Sequence, residues 1–274
     1  MTDGVAGNAR PLLELTRTRA LARLRPLLDR GALPIVTGFF GAGRDGRLTT
    51  LGRGGSDLSA AVIGSVLDAS TIKLFKVELE NSPDGVAAAW VAGWVGVVHD
   101  ADSSATIPQL HYEEARELAH FAKKVLHPET VSPAIEKGIP ISVLNTLDTQ
   151  HPGTNISAEG AAAGAGGGRV LTVTHQPLAA YEAKHRAAGH GVDDDVLVQL
   201  RLSSRDQAAL VALVGFGVMR MEGLAERALA ALVAAGVPAA VPKHVNGSQH
   251  SLSIVVPLVQ RKNALNILHK AFVK

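Results

Sequence analysis

Cysteine is absent from the 274 residues of this chain. That excludes disulfides, thiolate metal sites and a thiol nucleophile, and it is compatible with a cytoplasmic location. Aromatic residues are scarce, at 4%. No lysine- or arginine-rich run is interleaved with them, so nucleic-acid binding has no support. Charge of one sign is not in excess: 27 basic against 25 acidic residues leave a formal net charge of +2, too little to imply a polyanionic partner. No apolar stretch reaches the roughly 20 residues needed to span a bilayer. The longest, near Val86–Val98, is too short, so no membrane association is expected. What is present is a composition 46% hydrophobic and 19% charged, the balance of a globular protein of one or two domains.

Residues Arg10 to Arg30 are rich in arginine and poor in acid, as organelle-targeting peptides are. However, Leu21, Leu24 and Leu28 recur at helical spacing and lead into the apolar run Leu33–Val36. A surface helix packed on a sheet is the preferred reading. The expected elements are then a helix over 12–30, a strand over 33–39, a glycine-rich loop over 41–55 and a helix over 57–69. A strand follows over 71–77, then a helix over 112–124, a short helix over Val131–Lys137 and a strand over Ile141–Asn145. This alternation predicts an α/β fold, an αβα sandwich with a mostly parallel sheet covered on both faces.

The segment Ser157 to Gly168 reads SAEGAAAGAGGG, a low-complexity, flexible stretch that marks the expected domain boundary. The expected domains are 1–156 and 169–274, joined by a linker over 157–168. Beyond the linker, strands over Val211–Val214, Ala239–His244 and Ser251–Leu258 alternate with helices over Glu222–Ala235 and Arg261–Lys270. That order predicts an α+β ferredoxin-like sandwich, best defined over 208–274. Two more expected strands, Arg169–His175 and Asp195–Leu202, surround a helix near Leu178–Ala188 and suggest a shortened companion module.

The chemistry concentrates in Gly46 to Leu67, GRLTTLGRGGSDLSAAVIGSVL. Glycines at 52, 54 and 55 allow close approach of backbone to a ligand, and a helix begins near Ser56 or Asp57. A helix N-terminus offers unpaired N–H groups and partial positive charge to a carboxylate or phosphate. Arg53 adds a bidentate clamp for a carboxylate. The plainer alternative is that Ser56 or Asp57 simply caps a helix after a loop. Gly41, Gly43 and Gly46 also satisfy G-x-G-x-x-G, but the residues that follow do not open a helix as a dinucleotide site requires. That match is set aside.

The run Val36 to Ala60, VTGFFGAGRDGRLTTLGRGGSDLSA, resembles the signature of the aspartate kinases, which are amino-acid kinases with C-terminal ACT modules. So does the stretch Leu110 to Thr154, LHYEEARELAHFAKKVLHPETVSPAIEKGIPISVLNTLDTQHPGT. VALVGFGVMRMEGLAERALAALVAAGVPAAV, Val211 to Val241, followed by SLSIVVPL, resembles the ACT module that ends these enzymes. The resemblance implies transfer of the γ-phosphoryl group of ATP, with Mg2+, to the side-chain carboxylate of L-aspartate. It assigns substrate binding to Arg53, Gly54, Gly55 and Ser56, orientation of the reacting groups to Asp57, and ATP contact to Lys124. It also implies an amino-acid effector at the ACT region and pairing between chains. No metal ligands are assigned on the protein itself.

Three departures qualify it. The family's kinase domain opens with a K-F-G-G strand whose lysine contacts ATP phosphates, and no such motif occurs in this sequence. The chain is therefore expected to correspond to the later part of that domain. The family's nucleotide segment is replaced by the longer ELENSPDGVAAAWVAGWVGVVHDADSS, in which either Asp84-Gly85-Val86 or Gly96-Val97 is the Asp-Gly-Val counterpart. Lys76 and Asp102 are nucleotide-site candidates there, and Trp90 and Trp94, at i and i+4, read as packing residues. Asn155 to Leu210 is short for a first ACT module. The alternative to an active enzyme is thus a catalytically inactive paralogue or a regulatory subunit.

Overall fold

The computed structural model describes residues 1–52, 54–76, 107–121, 128–146, 150–160, 168–185, 191–243, 245 and 248–273. They fall into two compact units, one built from the described residues up to 76 with 108–160, the other from residue 107 and the described residues from 168 onward.

In the first unit the expected long helix is divided into α1, Leu13–Arg23, and α2, Arg25–Asp29. Pro26 lies in the first turn of α2, where a missing N–H is tolerated, and a continuous helix would lose a hydrogen bond there. The strand expected over 33–39 does not form among the described residues. Leu33 and Ile35 are 87% and 94% exposed, and an apolar run becomes a strand only where a neighbouring backbone accepts it. The loop expected over 41–55 instead contains a hairpin, β1 Phe40–Ala42 antiparallel to β2 Leu48–Thr50. Its turn is closed by Gly43 N–H donating to the Arg47 carbonyl at 2.9 Å and Gly46 N–H to the Gly43 carbonyl at 3.1 Å. The discarded G-x-G-x-x-G run therefore builds a hairpin turn.

Helix α3 spans Gly55–Val66 and β3 Ile72–Lys76. After them come β4 Gln109–His111, α4 Tyr112–Phe121, α5 Pro128–Lys137, β5 Ile141–Asn145 and β6 Thr154–Ser157. The sheet order is β3-β5-β6-β4, with β3–β5 and β6–β4 parallel and β5–β6 antiparallel. This is a mixed, mostly parallel sheet. β4 and β6, three and four residues long, were not foreseen because so short a run carries no periodicity to read.

Ile72 and Leu74 are buried while Lys73 is exposed and Phe75 is 57% exposed, so β3 alternates as a strand covered on one face. Helix α3 packs on β3, against α5 and against α1. Leu58 and Val62 of α3 cluster with Ala9, Leu51 and Leu13.

The second unit is an antiparallel sheet of β7 Thr172–Pro177, β8 Ala208–Val214 and β9 Ser251–Pro257, in the order β7-β8-β9. Its face of Val173, Val211, Leu213, Leu252 and Ile254 is sealed by Leu224, Ala228 and Leu232 of α8 (Leu224–Ala234) and by Leu265 and Leu268 of α9 (Arg261–Phe272). Helix α8 stops at Gly236, φ 73°, where Val237 N–H donates to the Leu232 carbonyl at 2.9 Å, a left-handed glycine stop.

Two expectations are corrected here. Of the strand expected over 239–244, the described residues 239–243 make a single bridge, Ala240 with Val255, because Pro238 and Pro242 flank Ala240 and cannot donate to a ladder. Residues 195–199 of the strand expected over 195–202 instead lie in a helix, α7 Asp194–Gln199. Asp194 and Asp195 favour a helix first turn, and buried Val196, Leu197 and Leu200 lie on one helical face. The strand expected over 169–175 is β7, and it pairs directly with β8. The helix near 178–188 is α6, Leu178–His185, within the described residues. No helix among the described residues is long and apolar enough to cross a membrane.

Candidate functional site

Local backbone chemistry places the N-terminus of α3. Gly52 and Gly54 adopt φ of 74° and 72°, the left-handed region that glycine enters without a Cβ penalty. Gly54 is the residue that caps the helix. Gly55 is required for a different reason: a Cβ there would fall 2.9 Å from both Leu51 Cβ and Phe39 Cδ2. Phe39 itself stands at φ 73°, strain that surrounding contacts must hold. One of them is Ser59 Oγ, which accepts from Phe39 N–H at 2.9 Å and donates to the Gly55 carbonyl at 2.8 Å. Ser59 thus ties the turn before β1 to the start of α3, a function that no sequence motif signalled.

Asp57 sits in the first turn of α3, where the helix dipole favours its negative charge. Its carboxylate is ion-paired with the ammonium of Lys76, the last residue of β3. The two side chains are 18% and 24% exposed respectively, so the pair is largely withdrawn from water without being sealed. The register sets Asn145, 8% exposed, beside Lys76, and Thr146 N–H donates to the Lys76 carbonyl at 2.9 Å. Both strands of this parallel pair therefore end at the Asp57–Lys76 pair. The crevice beyond the carboxyl ends of parallel strands is where α/β sheets bind ligands. A helix N-terminus, an acid and a fixed ammonium together suit an anionic ligand whose charge shifts during reaction.

Of the sequence candidates, the structure brings Asp57 and Lys76 into contact, and Gly54, Gly55 and the exposed Ser56 directly precede Asp57 in the chain. Gly38 approaches Ser56 closely: a Cβ on it would lie 3.3 Å from Ser56 Cα. Arg53, Lys124, Asp102, Trp90 and Trp94, with both Asp-Gly-Val alternatives, lie outside the described residues. A separate shallow hollow is lined by Val36, Phe40, Leu51, Val62 and Ile63 among others, and neither Asp57 nor Lys76 lines it.

The chain resembles known proteins both in sequence and in fold. Residues 7–83 match the amino acid kinase family, and that segment contains β1, β2, α3 and β3 with both members of the ion pair. Among relatives, chloroplastic aspartokinase 1 of Arabidopsis thaliana is 41% identical over 127 residues, 46% of this chain and 20% of that protein. Lysine-sensitive aspartokinase 3 of Escherichia coli is 34% identical over 153 residues, 56% of this chain and 31% of that protein. Among solved structures, E. coli aspartokinase III in complex with aspartate and ADP superposes with a TM-score of 0.70 at 23% identity, covering 98% of this chain and 67% of that one. The chain is similar to these aspartokinases in sequence over about half of its length, and it spans between a fifth and a third of the length of the two curated relatives.

Proposed function

We propose that this chain carries aspartate kinase chemistry in the cytoplasm, at the head of lysine, threonine and methionine biosynthesis. A carboxylate oxygen of L-aspartate attacks the γ-phosphorus of ATP. The bond from that phosphorus to the β,γ-bridging oxygen breaks, and 4-phospho-L-aspartate and ADP leave. The observation that carries the reading is the Asp57–Lys76 pair at the start of α3, inside the segment that matches the amino acid kinase family. Phosphoryl transfer asks for positioning and for neutralisation of phosphate charge. Lys76 is suited to a phosphate oxygen and Asp57 to orienting the reacting groups, with the α3 amides behind them. Arg53, Gly54, Gly55 and Ser56 would hold aspartate, and Lys124 and Asp102 would serve the nucleotide.

Mg2+ would arrive with ATP, since this ion is usually held by substrate phosphates and one or two carboxylates. Asp57 suits such a supporting role. Among the described residues no group of three acidic or imidazole side chains converges on one point, so the ion's main ligands would be the phosphates. The second unit would act as an ACT-type regulatory module, binding an amino-acid effector and pairing with a second copy.

A second reading, a catalytically inactive regulatory relative, is favoured by the open face of β3 at Lys73 and Phe75. The two are separated by incubating the purified chain with MgATP and L-aspartate and following ADP. Aspartate-dependent ADP formation supports the kinase. Its absence from a folded protein, with no binding of either substrate, sinks that reading and leaves the regulatory one.

A further inference from the structure

We propose that Ser59 is a positioning residue for the substrate loop: through Phe39 it closes the base of the glycine run that would hold L-aspartate. The inference rests on the phosphoryl-transfer reading above. Phe39 stands in the left-handed region, φ 73°, which a bulky side chain enters only where its surroundings hold it. Two hydrogen bonds hold it, from opposite ends of the run. Ser59 Oγ, in the second turn of α3, accepts from Phe39 N–H at 2.9 Å. Leu51 N–H, just before Gly52, donates to the Phe39 carbonyl at 2.9 Å. One strained residue therefore ties the start of the run to the helix that leaves it. The turn also reaches the substrate candidates: a Cβ on Gly38 would lie 3.3 Å from Ser56 Cα, and one on Gly55 would lie 3.5 Å from Phe39 Cα. A shift of Phe39 is thus passed to Gly55 and Ser56, whereas Lys76 is placed by the β3–β5 ladder.

The hydroxyl is needed both as donor and as acceptor. Oγ donates its own hydrogen to the Gly55 carbonyl one helical turn back at 2.8 Å, which leaves a lone pair for Phe39 N–H. Alanine supplies neither bond. Threonine supplies both, since its Oγ1 makes the same backward bond in a helix. Ser59 borders the shallow hollow beside Val62 and Ile63, which leaves space for the added methyl.

The test titrates the full chain and its Ser59→Ala and Ser59→Thr variants calorimetrically, first with MgADP and then with L-aspartate in the presence of MgADP. The Ser56 and Asp57 amide signals are followed by NMR without ligand. Misplacement of the loop predicts L-aspartate binding at least about 10-fold weaker in Ser59→Ala, with MgADP affinity unchanged and both amide signals displaced. Ser59→Thr should restore the parent's behaviour. Should Ser59→Ala fail to fold, Ser59→Cys takes its place under the same criteria, since a thiol is a weaker donor and acceptor. An aspartate affinity equal to the parent's overturns the inference, as does a loss that is equal for both ligands or that Ser59→Thr shares. If the parent binds no L-aspartate, the aspartate kinase reading falls and the amides alone decide for Ser59. Signals displaced in Ser59→Ala and restored in Ser59→Thr then keep its positioning role, and unmoved signals overturn it.

Discussion

Removing the ammonium of Lys76 asks how strongly the two halves of the site hold each other. Exposed ion pairs couple by about 0.2–1 kcal/mol, whereas stripping one partner from a fully buried pair costs about 3–5 kcal/mol. With Asp57 and Lys76 18% and 24% exposed, the pair lies between these limits, and a coupling of about 1–2 kcal/mol is expected. Lys76→Met leaves the Asp57 carboxylate at the first turn of α3, where the helix dipole still stabilises it by about 0.3–1 kcal/mol. Asp57→Asn removes the ion pair and the dipole interaction together, so it should cost more than Lys76→Met by about that margin. Urea unfolding followed by far-UV circular dichroism, on both single variants and the double, gives the coupling directly. The change should fall on the transition of the unit that contains α3. Single effects that add to within about 0.3 kcal/mol in the double variant would show the pair to be an unimportant surface contact.

Two other outcomes follow from the backbone and from charge. In the second unit, a Cβ on Gly215 would lie 1.9 Å from the Arg169 carbonyl oxygen, across the pairing of Arg169 N–H with Phe216 and Leu171 N–H with Val214. Gly215→Ala should destabilise that unit by about 2–4 kcal/mol in urea unfolding, and a loss under about 0.5 kcal/mol would contradict the packing. In the first unit, Asp68 accepts from Arg17 and then Lys137, which hold its carboxyl at about 2, below the ordinary 3.8. A depressed carboxyl stabilises the fold above its unfolded value and loses that contribution as pH falls toward 2. Between pH 4 and pH 2.5 the parent should therefore lose more stability than Asp68→Asn; parallel curves would refute it.

Legibility followed how far each segment carries its own instructions. Strand β5 coincides with its expected span because alternating Ile141, Val143 and Asn145 need only one buried face. Helix α3 announces itself through Gly52, Gly54 and a run of small and apolar residues, although it starts at Gly55, two residues before the expected position. Leu33–Val36 looks like a strand in composition, but strand formation depends on a neighbour, which composition does not report. Val196, Leu197 and Leu200 suited either period, and the three aspartates before them should have decided for a helix. At the site, Asp57 and Lys76 were each singled out for separate roles. Their contact was invisible because it depends on β3 returning its carboxyl end to the start of α3. Asn145 was read only as the end of a strand, since its place beside Lys76 comes from the β3–β5 register.

The central claim, that the Asp57–Lys76 site takes nucleotide and aspartate, is tested most directly by titrating the full chain with MgATP, then with L-aspartate in the presence of MgATP. The account predicts saturable binding of MgATP, further heat on adding aspartate, and loss of both in Lys76→Met. A cooperatively folded parent that gives no heat with either ligand would contradict it.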